Sequence, residues 1–65
     1  MLPPPYAGSI TITIRRAVAY LGWQAVLYSP SGEYKAWSGR TKKAARKLAE
    51  AYASAQNWYV SRVYQ

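Results

Sequence analysis

Trp23-Gln24-Ala25-Val26-Leu27-Tyr28-Ser29-Pro30-Ser31-Gly32-Glu33-Tyr34-Lys35-Ala36-Trp37 is the stretch that decides how this chain of 65 residues folds. Ser29, Pro30 and Gly32 occupy positions i, i+1 and i+3 of a type I turn, where those residue types are favoured. Before the turn, Trp23, Ala25 and Leu27 alternate with Gln24, Val26 and Tyr28. That period of two makes 23–29 a strand. After the turn, Tyr34 to Ser38 returns as a second arm, with Lys35 and Trp37 on one side and Tyr34 and Ala36 on the other. If Trp23, Ala25 and Leu27 face a core, the reading expects Gln24, Val26, Tyr28, Lys35 and Trp37 to face outward.

Upstream of this hairpin, Ser9 to Tyr20 reads as a strand. Ile10, Ile12 and Ile14 alternate with Thr11 and Thr13, all β-branched and suited to a pleated surface. The alternation falters at Arg15-Arg16-Ala17, where a bulge or a strong local twist is expected to re-aim one arginine. Leu21-Gly22 marks the turn into the hairpin. Downstream, Thr41 is a suitable N-cap for a helix over 42–56. Ala45, Leu48, Ala49 and Tyr52 form its apolar stripe, and Asn57 stops it. Trp58 to Tyr64 is rich in β formers and reads as a fourth strand. The expected class is α+β, a three-stranded antiparallel sheet with one helix packed on one face and a fourth strand after it, in the order β-β-β-α-β. Residues 1–8, with Pro3, Pro4 and Pro5, are expected to form an extended arm, and 9–65 a single small domain.

A domain this short buries only about 60% of the surface its unfolded chain exposes. With no cysteine and no histidine there is no disulfide or zinc staple, so the aromatics must supply bulk. Three Trp and seven Tyr are present, and no Phe. Most carry a polar tip, which suits half-buried positions and binding faces.

The same inventory speaks against catalysis. No His, Cys or Asp is available as base or nucleophile, and the two acidic residues, Glu33 and Glu50, stand far apart in the pattern. No catalytic residue, metal ligand, cofactor or small-molecule substrate is therefore expected. The N-terminus lacks a signal-peptide pattern and no apolar run is long enough to span a membrane, so no membrane partner and an intracellular location are expected.

Charge points to the partner. Nine Lys and Arg against two Glu give a net charge of +7, the electrostatic footprint of a protein that meets nucleic acid. Arg40, Thr41, Lys42, Lys43, Arg46 and Lys47 crowd the start of the helix. Each cation there opposes the helix macrodipole by about 0.3–1 kcal/mol. A bound phosphate would relieve that repulsion and accept free N–H groups of the first turn. Arg15, Arg16, Tyr20, Gln24, Tyr28, Lys35 and Trp37 are the expected base or groove contacts. Duplex DNA is the preferred partner on this reading. Single-stranded DNA or RNA bound by aromatic stacking is one alternative, and a phage or mobile-element protein that inhibits a host protein is another. A small core and exposed strand edges leave a homodimer open.

Trp23-x-Ala25-x-Leu27, Pro30 and Gly32, Trp37-x-Gly39-x-Thr41, and Ala44-Ala45 with Ala51-Tyr52 together resemble the AP2/ERF DNA-binding domain. They resemble equally the AP2-like arm-binding domain at the N-terminus of phage-type integrases, over residues 14–55. The resemblance implies a three-stranded sheet laid in the DNA major groove with the helix behind it. It also implies sheet contacts at Arg16, Tyr20, Val26, Tyr28, Lys35 and Trp37, in a DNA-binding domain of a small regulatory or mobile-element protein. The family places arginine and glutamate where this chain has Val26 and Tyr28.

Overall fold

The computed structural model describes residues 6–17 and 22–65. Its elements follow in the order β1 (Gly8–Arg16), β2 (Trp23–Tyr28), β3 (Tyr34–Gly39), α1 (Lys42–Ala55) and β4 (Trp58–Tyr64). One sheet has the strand order β3-β2-β1-β4. The first three strands are antiparallel neighbours, whereas β4 lies parallel to β1, so the sheet is mixed. The chain reaches β4 by carrying α1 over β2 and β1, the crossover that a parallel placement requires. The proline segment and Tyr20 lie outside the described residues.

The hairpin turn forms as its residues dictate. The Gly32 N–H donates to the Ser29 carbonyl at 2.8 Å, and the Ser29 hydroxyl accepts from the Glu33 N–H at 2.9 Å. Gly32 takes φ +95°, which costs glycine nothing and other residues strain. Tyr28 then pairs with Tyr34, which fixes every later partner: Leu27 with Lys35, Ala25 with Trp37, Trp23 with Gly39. Directly opposed residues share a face. The expected outward positions of Lys35 and Trp37 are therefore corrected. Both lie on the helix side, and Tyr34 and Ala36 take the open side.

The core is small and layered. Ile10, Ile12, Ile14, Ala25 and Leu27 project from the sheet onto Ala45, Ala49 and Ala53 of α1. Alanines at i, i+4 and i+8 let the helix approach closely, and the stripe shifts accordingly. Ala53 is inside, while Leu48, expected in the stripe, is 47% exposed, off the line of Ala45, Ala49 and Ala53. Trp23, Trp37, Tyr52 and Trp58 close the margins of this core. Tyr52 holds Trp37 on one side at 5.1 Å and Trp58 on the other at 5.8 Å between ring centroids.

Two strand details depart from expectation. The register runs without a shift through Arg15 and Arg16, which simply occupy opposite faces. The irregularity falls instead in β4, where Ile10 pairs with Val60 but Thr11 pairs with Arg62. Ser61 is the extra residue, and its hydroxyl donates to the Ile10 carbonyl at 3.1 Å. Without this bulge Val63 would point to solvent; with it, Val63 reaches the core. Among the described residues no helix is long and apolar enough to cross a membrane.

Candidate functional site

The end of the sheet where β1 and β3 finish is built from cations. Gly39 pairs with Trp23, and Trp23 pairs with Arg16, so these residues lie side by side. Gly39 lets α1 start immediately above them: a Cβ there would fall 2.7 Å from the Ala45 backbone nitrogen. The Thr41 hydroxyl accepts from the Ala44 N–H at 3.1 Å and the Thr41 carbonyl accepts from Ala45, capping the first turn. The N–H groups of Lys42 and Lys43 face outward from that turn without a helical partner.

Trp23 joins the two basic segments. Its ring carries the Arg16 guanidinium at 4.8 Å and the Lys42 ammonium at 4.7 Å from the centroid. The ring's quadrupole attracts both cations and so gathers two like charges around one side chain. Beyond Lys42, a cleft of about 450 Å³ is lined by Lys42, Lys43, Arg46, Lys47, Glu50 and Gln65. Gln65 is there because β4 ends beside the helix start. Glu50 is the sole carboxylate in this group, and Arg46 already engages it at 3.1 Å. Glu33 sits in the hairpin turn at the opposite end of the sheet. Of the nine cations, all but Lys35 and Arg62 collect at one end, with little local counter-charge. No acidic residue occupies the first turn of α1.

The structure thus brings Arg40, Thr41, Lys42, Lys43, Arg46 and Lys47 together and adds Arg16 through Trp23. Arg15 belongs to the same end but projects from the open face. Its Nε donates to Gln24 Oε1 and its Nη2 to the Tyr34 hydroxyl, each at 3.1 Å. That second bond crosses β2, and Val26 between Gln24 and Tyr28 is left only 6% exposed. Tyr28 stands open on the same face, 59% exposed.

Of the remaining expected contacts, the described ones, Arg16, Lys35 and Trp37, do not share that face. Lys35 lies near the Tyr52 ring, its ammonium 5.7 Å from the centroid, and Trp37 packs on Tyr52. Arg16 is also on the helix side. Of the described positions the AP2/ERF resemblance implies, only Tyr28 is both on the open face and exposed. No family model, curated protein or solved structure matches the chain. The resemblance therefore rests on the residues that carry it.

Sequence reading missed Tyr34, Arg62 and Tyr64 on the open face and the paired cations on Trp23. Tyr34 was within reach: a turn that pairs Tyr28 with Tyr34 puts both on one face. Arg62 and Tyr64 required the bulge at Ser61, which no residue type announces.

Proposed function

We propose that this protein binds nucleic acid and that the basic end of the sheet holds backbone phosphates. The observation that carries the reading is the convergence of cations from β1, the β3–α1 junction and the first turns of α1 around Trp23. Phosphate is the anion this arrangement favours. It would neutralise the like charges gathered around Trp23 and meet the outward N–H groups of Lys42 and Lys43. The protein acts here as a binding module: it has no His, Cys or Asp, and its two glutamates stand far apart.

The AP2/ERF resemblance favours duplex DNA, with the sheet in the major groove. Three antiparallel strands backed by a helix have the shape such docking needs. Contacts along the backbone do not depend on that choice, since both duplex and single strands present phosphates. The test is a fluorescence-anisotropy titration of labelled mixed-sequence DNA, single-stranded and duplex, over a range of salt. Neutralising about five duplex phosphates implies a fall in affinity of roughly 500-fold between about 50 and 200 mM salt. Binding that ignores salt, or that is undetectable for both forms at the lower concentration, would overturn the proposal.

A further inference from the structure

The open face of the sheet differs in character from the basic end. Along the middle of it runs β1, whose outward residues Thr11 and Thr13 are short and exposed. Tyr28 and Tyr34 rise on one side, 59% and 50% exposed. Arg62 and Tyr64 rise on the other, opposite Thr11 and Thr13 in register, with Tyr64 50% exposed. Tyr28 on β2 and the Arg62–Tyr64 pair on β4 stand on the strands either side of β1, about 10 Å apart at the usual strand spacing, with Tyr34 one strand farther out on β3. The result is a trough with a hydroxyl floor and aromatic walls.

The walls are held in place. Tyr28 and Tyr34 meet edge to face with centroids 5.5 Å apart. The Tyr34 hydroxyl is further fixed by Arg15, and the Arg62 guanidinium leans over the Tyr64 ring at 5.8 Å. Aromatic rings fixed in this way lose little freedom when a flat ligand stacks on them. Arg15 and Arg62 give the face positive charge. Among the described residues no carboxylate projects from it, since Glu33 is in the turn and Glu50 on the helix.

From this geometry we infer that the trough receives unpaired nucleobases, so that the preferred ligand is a single strand. The inference rests on the reading of the basic end as a phosphate site and specifies which form of nucleic acid is bound. A single strand presents bases that stack on tyrosines, while its backbone follows the cations at Arg15 and beyond. A duplex hides those base faces and must be read by long donors reaching base edges. This face has few to offer: Arg15 and Gln24 are bonded to each other, Val26 is covered, and Ala36 and Ser38 are short. A second copy of the chain would set Arg15 and Arg62 against their own like charges.

The test uses a fluorescein-labelled twelve-nucleotide oligothymidylate, alone and annealed to its complement, at low salt. Tyr28→Ala, Tyr64→Ala, the corresponding phenylalanine variants and a Lys43→Ala/Lys47→Ala double variant are compared with the native chain. Circular dichroism establishes that each is folded. The native chain is expected to bind the single strand at least tenfold more tightly than the duplex. Each alanine variant should lose about tenfold toward the single strand and little toward the duplex, with the phenylalanine variants retaining native affinity. The lysine variant should weaken both. Equal or tighter duplex binding overturns the inference, as do folded alanine variants that bind the single strand like the native chain. In either case the basic-end reading survives if both forms bind and the lysine variant weakens them. Absence of binding to either form overturns both readings.

Discussion

Replacing Lys43 by glutamate separates function from stability, because the two should move in opposite directions. Lys43 is the second residue of α1, exposed, in a first turn that contains no acid. Removing its charge there relieves about 0.3–1 kcal/mol of unfavourable interaction with the helix macrodipole, and an anion gains a similar amount. A glutamate at 43 also stands four residues before Lys47, a pairing worth about 0.3–0.5 kcal/mol on a helix surface. After solvent screening the sum is about 1 kcal/mol of added stability, or roughly 4–8 °C in melting temperature for a domain of this size. Because the effect is electrostatic and exposed, it should shrink sharply between about 20 mM and 1 M salt. The same substitution places a negative charge beside the proposed phosphate path. Affinity for oligonucleotides should drop at least tenfold, and the salt slope should flatten by about one phosphate contact. Circular-dichroism melts at two salt concentrations and anisotropy titrations provide both readings. The reasoning is refuted if Lys43→Glu melts below the native protein. It is refuted equally if the variant binds nucleic acid as tightly as before.

Trp37→Ala should unfold the domain more readily instead of merely weakening binding. A tryptophan half-buried against Tyr52 removes about 100 Å² from water, worth about 2.5 kcal/mol with a smaller ring-contact contribution, so the melting temperature should fall by roughly 10–20 °C. A native melting temperature for this variant would place Trp37 outside the core. Gly39→Ala tests how closely the helix start sits on β3. Its Cβ would meet the Ala45 nitrogen at 2.7 Å and the Ala44 Cβ at 3.0 Å, so the helix must shift at a cost of about 1–3 kcal/mol in urea unfolding. Full stability would show that the helix end is free to move away.

The elements themselves were legible in the residues. Ile10-Thr11-Ile12-Thr13-Ile14 could only be a strand with one buried face, and Ser29-Pro30-Ser31-Gly32 could only turn the chain. Thr41 before an alanine-rich periodic segment marked the start of the helix where the structure starts it. What misled was β3, in which Tyr34 and Ala36 are no more polar than Lys35 and Trp37. With amphipathic residues on both parities, periodicity had nothing to choose between, and the pairing across the turn decided. Leu48 misled for a related reason. Its type suits a core, but the buried line of the helix is Ala45, Ala49 and Ala53, and Leu48 lies off that line.

The candidate site divides along the same line. Local sequence determined that the helix begins in a cluster of positive charge, because Arg40 to Lys47 are neighbours in the chain. It could not determine that Arg15 and Arg16, far back in the sequence, join them. That follows from two antiparallel pairings, which bring the ends of β1 and β3 to the same edge of the sheet, and from a glycine that seats the helix there. Nor could it determine that β4 lies beside β1, because a crossover helix fixes its direction and a one-residue bulge fixes which side chains turn outward. Residue types set the period of each strand and the chemistry it carries. Pairing between strands sets which of those groups face the same way, and that is a property of the assembled sheet alone.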